Sequence, residues 1–293
     1  MQTLHEIRRL LSQAGLAPRK QFGQCFLIDG NLMRKLLELA EVPPGRTVLE
    51  VGPGTGSLTE ALLERPGRTV AVEIDHGLAA LLRRRLGGRE NLSLIEGDVL
   101  AGKHALSDDV LAALGGEAHL VANLPYSVAT PIVSECLLSS RRSLEGRGVR
   151  FDRLTFMVQA EVADRMHAEP GSDSYGAVSV LVALLGRVTM GPAVPAGAFW
   201  PRPKVASRMV RIDFDEPAAA QLRSAAVLVR ALALAFGQRR KQIHSVAKRR
   251  GAAFTPDLFA EALAAAGIDP ALRAEQVAPA QFRALANVLA VRR

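Results

Sequence analysis

Short apolar runs, separated by stretches of helical periodicity, fill the first two thirds of the chain. The runs are typical of buried strands and lie at residues 47–51, 68–72, 91–95, 119–122, 154–158 and 188–190. A last strand, of mixed polar and apolar residues, is predicted at 207–212. Apolar residues at helical spacing occupy 3–15, 31–40, 57–65, 77–86, 110–114, 130–138 and 161–167. Residues 178–185 are apolar except for Ser179 and fit either element. Strands that alternate with helices predict an open α/β sheet.

The pattern changes near residues 213–217. From Ala218 onward the chain is rich in alanine and leucine at helical spacing, and helices are predicted at 221–236, 239–249, 256–266 and 279–291. We therefore expect an α/β domain over residues 1–215, which includes an N-terminal lid segment. A smaller, all-helical domain is expected over residues 216–293.

The net charge of +8 adds a polyanionic partner to this picture. Nucleic acid is favoured over a membrane surface, and a basic surface that serves solubility is the alternative. Residues 236–250 carry six cations and no acid, which fits either a solvated face or phosphate binding. Two cysteines are too few for a disulfide framework. No membrane span or signal peptide is visible, so we expect a cytoplasmic protein.

A glycine-rich loop, Gly52-Pro-Gly-Thr-Gly56, joins the strand at 47–51 to the helix at 57–65. This order opens many nucleotide-binding folds, because glycines let the backbone approach a ligand closely. The spacing differs from the dinucleotide pattern G-x-G-x-x-G, and no lysine follows as it does in a P-loop. The loop fits a ligand that has an amino-acid group and no phosphate.

Two acidic residues follow the next two strands. Glu73 stands about 20 positions after the glycine loop, where a carboxylate can accept bonds from both hydroxyls of a ribose. Asp98 follows the third strand and could accept from the exocyclic amine of an adenine ring. The alternatives are a solvated strand-end acid for Glu73 and an ordinary turn residue for Asp98.

The fourth strand ends in Asn123-Leu-Pro-Tyr126. Pro125 cannot continue a sheet ladder, so the strand must stop in a stiff turn at the edge where open α/β sheets bind ligands. The turn presents an amide, backbone carbonyls and a ring, which suit a flat heterocycle that bears an amine. The alternative, which four residues alone would favour, is an ordinary turn that ends a strand. Phe199 and Trp200 are held rigidly among three prolines, and packing against the sheet edge is the alternative use of one of them.

Together these features resemble methyltransferases that use S-adenosylmethionine, whose fold is Rossmann-like. Asn123-Leu-Pro-Tyr126 is similar to the amino-methylating motif of adenine N6-methyltransferases. Three further segments resemble elements of the ribosomal RNA adenine dimethyltransferase family: Gln24-Cys-Phe-Leu27, Phe199-Trp-Pro-Arg-Pro-Lys-Val205 and Phe236-Gly-Gln-Arg-Arg-Lys241. The helical C-terminal part and the Pro-Lys-Val element favour the small-subunit type of this family.

The resemblance implies a role for each matching residue. The cofactor, S-adenosyl-L-methionine, would be held by Cys25, Leu27, Gly52, Gly54, Glu73, Asp98 and Asn123. The target adenine would be held by Asn123, Leu124, Tyr126 and Phe199, with no metal involved. Contacts to RNA would come from Lys204, Arg239, Arg240 and Lys241. Cys25 departs from the family, which has an asparagine there, and a thiol is a poor substitute for an amide.

The implied activity is N6,N6-dimethylation of adjacent adenosines in small-subunit (16S) ribosomal RNA, within the pre-30S particle and by a monomer. One alternative is a methyltransferase of the macrolide-resistance type, which acts on large-subunit ribosomal RNA. Another is a non-catalytic RNA-binding assembly factor that keeps the fold. A nicotinamide-dependent oxidoreductase is disfavoured by the glycine spacing and by the Asn-Leu-Pro-Tyr turn.

Overall fold

The computed structural model describes residues 1–102, 105–238, 240–248 and 251–291. The chain forms two compact units, Met1–Ala163 with Thr189–Asp213 and Asp164–Val188 with Phe214–Arg293. Residues 164–188 therefore group with the C-terminal helices, although their sequence continues the earlier alternation of elements. The division into domains at residue 215 stays a prediction.

A seven-stranded sheet dominates the first unit and confirms the predicted α/β fold. The strands in the described residues are β1 (Phe26–Leu27), β2 (Thr47–Val51), β3 (Thr69–Glu73), β4 (Leu92–Glu96), β5 (Glu117–Asn123), β6 (Arg150–Gln159), β7 (Gly186–Val194), β8 (Phe199–Trp200) and β9 (Ser207–Phe214). The large sheet has the order β4-β3-β2-β5-β6-β9-β7. Its first five strands run parallel, and β9 is antiparallel to β6.

The strand order reverses at β2. The chain moves outward from β2 to β3 and β4, and then returns to place β5 on the other side of β2. In open α/β sheets a crevice forms at such a reversal, outside the carboxyl ends of the strands. The glycine loop follows β2 and the Asn-Leu-Pro-Tyr turn follows β5, so the topology places both segments at this crevice.

Some of the helices pack on the sheet within the first unit, and others make up most of the second unit. They are α1 (Leu4–Gln13), α2 (Gly30–Ala40), α3 (Ser57–Leu63), α4 (His76–Leu86), α5 (Asp108–Leu114), α6 (Ala129–Ser143), α7 (Ala160–Met166), α8 (Ala177–Leu185), α9 (Glu216–Ala220), α10 (Ala225–Phe236), α11 (Pro256–Ala265) and α12 (Pro279–Val291). Side-chain caps define several starts, such as Asp29 before α2 and Asp75 before α4. None of these helices is long and apolar enough to cross a lipid bilayer.

Two stretches differ from the predicted helices. The stretch at 221–236 begins later, because Ser224 caps α10 and accepts from the Val227 amide. The predicted helix at 239–249 is instead a 3₁₀ helix, Ile243–Lys248. Residues 239, 249 and 250 lie outside the described residues. The ambiguous stretch at 178–185 is helical.

The N-terminal helix α1 is fixed on the first unit. A capping box between Thr3 and Glu6 starts it. Its apolar face, Ile7 and Leu11, packs into a cluster with Phe26 and with two leucines of α4. Burial of this face holds the helix in place, since an isolated helix of this length is only marginally stable in water.

Candidate functional site

A cavity of about 300 Å³ opens at the carboxyl ends of β2, β3, β4 and β5. It lies within the first unit. All but one of the residues predicted for the cofactor and the target base line it, namely Cys25, Leu27, Gly52, Gly54, Glu73, Asp98, Asn123, Leu124 and Tyr126. The size and the mixed apolar and polar lining are those of a small-molecule site.

The glycine loop forms one wall of the cavity and requires glycine. Gly54 has a φ of +61°, and a Cβ added there would lie 2.9 Å from the ring of Phe26. At Gly52, with a φ of +70°, a Cβ would lie 3.2 Å from Pro125 of the Asn-Leu-Pro-Tyr turn. The backbone thus passes so close to both neighbouring segments that any side chain would crowd the cavity.

Glu73 is fixed below the loop by backbone donors. Its Oε2 accepts from the Gly54 amide and its Oε1 from the Asp75 amide, each at 3.0 Å. Burial raises the pKa of this carboxyl above its usual value, and the two backbone bonds oppose that rise. Because each carboxylate oxygen has a second lone pair, Glu73 can still accept from hydroxyl groups of a ligand.

Glu50 is a site residue to which the sequence pattern assigned no role. The side chain lines the cavity, is 2% exposed, and its Oε2 has no hydrogen-bond partner in the described part of the chain. Burial raises the pKa of Glu50 to about 8; the Thr59 hydroxyl opposes this rise and the charge of Glu73 adds to it. The available signal was its position, an acid in a buried strand two residues before the glycine loop.

Asn123 is oriented by a backbone contact. Its Nδ2 donates to the carbonyl oxygen of Cys25 at 3.0 Å, which leaves Oδ1 as the free acceptor of the amide. The contact uses the backbone of residue 25, so it does not depend on which side chain stands there. Burial raises the pKa of the Cys25 thiol, which keeps the sulfur neutral.

Tyr126 is anchored by a serine that the sequence did not indicate. The hydroxyls of Tyr126 and Ser207 lie 2.8 Å apart, and Ser207 is buried at the start of β9. Burial raises the pKa of the Tyr126 hydroxyl. The hydrogen bond fixes the direction of the ring at the edge of the cavity.

Phe199 does not line this cavity. It is 2% exposed and packs in a core cluster that includes Leu27 and Met33. The cause is the small antiparallel sheet in which Leu27 of β1 is paired with Phe199 of β8. Strands of two residues leave no periodicity in a sequence, so this pairing was not predicted.

Those predicted RNA contacts that fall within the described residues lie on the surface. Lys204 is exposed in the first unit, and Arg240 and Lys241 are exposed in the second. Arg239 lies outside the described residues. Among the residues that the structure covers, no group of three or more His, Cys, Asp or Glu side chains is arranged to hold a metal ion.

Comparison with known proteins agrees with this geometry. A family described as "Ribosomal RNA adenine dimethylase" matches residues 15–291. Ribosomal RNA small subunit methyltransferase A of Moorella thermoacetica is 41% identical, over 96% of this chain and 95% of its own length.

Two solved structures share the fold. A dimethyladenosine transferase from Plasmodium falciparum covers 88% of this chain and 94% of its own, with a TM-score of 0.65 at 23% identity. The 23S rRNA methyltransferase ErmE covers 90% of this chain and 99% of its own, with a TM-score of 0.59 at 25% identity. With a family match over most of its length and the site's residues gathered in one cavity, the chain belongs to the ribosomal RNA adenine dimethylase family.

Proposed function

We propose that the protein transfers methyl groups from S-adenosylmethionine to N6 of adjacent adenosines in small-subunit (16S) ribosomal RNA, giving N6,N6-dimethyladenosine during ribosome assembly. The observation that carries the proposal is the meeting, in one cavity, of the Asn-Leu-Pro-Tyr turn with the glycine loop, Glu73 and Asp98. The relative in Moorella thermoacetica, named a small subunit methyltransferase, supports the choice of substrate.

The residues of the cavity fit S-adenosylmethionine. The unpartnered Oε2 of Glu50 suits a cationic amino group, and the glycine wall leaves room for a methionine moiety against the backbone. Glu73 would accept from the ribose hydroxyls and Asp98 from the adenine amine. When bound, this cofactor supplies an electrophilic methyl group on a sulfonium centre.

The chain's own contribution is to orient the target base. Asn123 Oδ1 and the Leu124 carbonyl would accept the two hydrogens of the adenine N6 amine. Since Asn123 Nδ2 already donates to the Cys25 carbonyl, the amide presents its oxygen to the base. These bonds aim the nitrogen lone pair, and alignment of the reacting groups is the main source of rate in such a transfer. The proton that N6 loses can pass to water.

The target adenine must leave its stack to reach the cavity. Tyr126, held by Ser207, would stack on one face of the base, and stacking on an aromatic ring is worth about 1–3 kcal/mol per base. Phe199 is the proposed second ring. Because it is buried against Leu27, its use requires the incoming base to displace neighbouring side chains.

We propose that four cationic side chains bind phosphates of the ribosomal RNA in the pre-30S particle: Lys204, Arg239, Arg240 and Lys241. All three described cations are exposed, as a phosphate contact requires.

A macrolide-resistance type of activity has weaker support, because the similarity to ErmE is 25% identity against 41% for the small-subunit relative. A purely structural assembly factor is disfavoured, because one cavity brings together Asn123, Tyr126 and Glu73.

The test is transfer of labelled methyl from S-adenosylmethionine to unmethylated small subunits, followed by digestion and separation of the nucleosides. We expect labelled N6,N6-dimethyladenosine. Transfer to large-subunit RNA alone would establish the resistance type instead. RNA binding without transfer to either substrate would establish an assembly factor.

A further inference from the structure

The guanidinium group of an arginine packs against the ring of Trp200, the one tryptophan of the chain. The guanidinium carbon of Arg8, on α1, lies 5.2 Å from the ring centroid of Trp200, within the range of a cation–π contact. The same indole stacks on Phe26, with ring centroids 6.3 Å apart and an interplanar angle of 25°. Trp200 is therefore engaged by both Arg8 and Phe26.

Two neighbours of the Arg8–Trp200 pair line the cavity. Phe26 and Ile7 both line it, and Arg8 is the next residue after Ile7. The helix that carries Arg8 is anchored beyond its apolar face as well. The Gln2 side chain donates to the Thr55 carbonyl of the glycine loop at 3.1 Å, and the Gln2 amide donates to Ser57 Oγ at 3.1 Å. Arg8 thus projects from a fixed support.

The surroundings of the pair are cationic. Arg9 is exposed beside Arg8, and Arg202 is exposed two residues after Trp200, within about 7 Å of it along the chain. Residues 195–212 contain no acid. The nearest acid on α1, Glu6, is bound to Thr3 in the capping box. Among the described residues, no carboxylate forms an ion pair with Arg8.

We propose that Arg8, held on Trp200, binds a backbone phosphate of the RNA next to the adenosine that enters the cavity. This inference rests on the proposed function, since a base flipped into the cavity brings its own flanking phosphates to the rim. A phosphate fits better than a second stacked base, because the indole is already occupied by Arg8 and Phe26. The guanidinium, oriented by the ring, keeps its N–H edges available for a bidentate contact.

The test compares Arg8→Gln with Arg84→Gln, which removes an exposed arginine from the last turn of α4. Dissociation constants for unmethylated small-subunit RNA, measured without cofactor over a salt series, give the slope of log Kd against log salt. For Arg8→Gln we expect the slope to fall by roughly one and the affinity to drop about three- to tenfold at ~0.15 M salt. Arg84→Gln should change neither, and affinity for S-adenosylmethionine should be unaltered in both.

An unchanged slope in Arg8→Gln, or an equal change in Arg84→Gln, would overturn the inference. Trp200→Leu supplies a second measurement, because Arg8→Gln should have a smaller effect when the indole is absent. A full effect of Arg8→Gln in that background would show that Trp200 does not position the cation. The two proposals can fail independently. RNA binding without methyl transfer by the unaltered protein would contradict the proposed function. An unchanged salt slope for Arg8→Gln, when the unaltered protein does transfer methyl, would contradict the Arg8 contact alone.

Discussion

Two carboxyl groups, Glu50 and Glu73, are buried next to the glycine loop and line the cavity. Burial raises the pKa of both Glu50 and Glu73, and that of Glu50 reaches about 8. Glu73 has two backbone donors, whereas Oε2 of Glu50 has no partner in the described residues. Near neutral pH Glu50 therefore holds a proton, and a cationic ligand group would favour its release.

This gives a pH dependence of cofactor binding. As pH rises from 7 to 9, Glu50 ionises and affinity for S-adenosylmethionine should increase by about tenfold. Glu50→Gln should bind more weakly and lack this component, so isothermal titration of both proteins across the range isolates it from the titration of the ligand. Equal pH dependence in the two proteins would contradict the role of Glu50.

The same group affects stability with a defined sign. Its pKa in the folded protein lies above the unfolded value of 4.5, so folding takes up a proton. The stability that depends on this proton is complete below about pH 4.5 and is lost as pH rises through about 8. The unfolding free energy of the protein, relative to Glu50→Gln, should therefore fall over that window.

A further prediction concerns the hydroxyl pair at Tyr126. Ser207→Ala and Tyr126→Phe each remove the 2.8 Å hydrogen bond, which is worth about 0.5–1.5 kcal/mol, so each should slow methyl transfer several-fold. The double variant should be no slower than either single one, because the same bond is lost. Transfer rates under subsaturating RNA measure this, with Ser143→Ala on α6 as the control. Additive losses would show that the two hydroxyls act separately.

At the scale of elements, the sequence predicts those strands and helices that are long enough to show a hydrophobic pattern. The strand at 47–51 and the helix at 279–291 coincide with β2 and α12, because each is a continuous apolar or periodic segment bounded by turn residues. The β1–β8 pairing was not visible, since two residues carry no period. That pairing buries Phe199 and places Phe26 over the glycine loop, so the missed element is the one that shapes the cavity.

The contact between Phe26 and the glycine loop can be tested with matched glycines. Gly54 and Gly45 both have positive φ, but a Cβ at Gly54 would lie 2.9 Å from Phe26, whereas a Cβ at Gly45 meets nothing within 4 Å. Alanine at either position incurs backbone strain of about 1–2 kcal/mol. Gly54→Ala should lower thermal stability further and weaken cofactor binding by at least tenfold. If Gly45→Ala weakens it equally, the close approach to Phe26 has no role.

At the scale of the whole molecule, the order of motifs along the chain was more informative than any single one. Each single motif has a common structural alternative, whether it is the glycine loop, one of the two acids or the Asn-Leu-Pro-Tyr turn. The motifs follow the parallel strands β2, β3, β4 and β5, however, and the carboxyl ends of these strands meet at one crevice. The net charge of +8 indicates a polyanionic partner without naming it. Contacts such as Arg8 on Trp200 join residues far apart in sequence and need the folded structure.

The central claim is that the turn at the end of β5 orients an adenine amine for methyl transfer. The most direct measurement is the single-turnover rate of methyl transfer to unmethylated small subunits by Asn123→Ala, with RNA and cofactor affinities measured in parallel. Loss of the Oδ1 acceptor should reduce the rate by at least 100-fold (about 2.7 kcal/mol of transition-state stabilisation), while RNA affinity stays within about twofold of the unaltered protein. A variant that binds RNA and cofactor normally and still transfers methyl at the original rate would contradict the account.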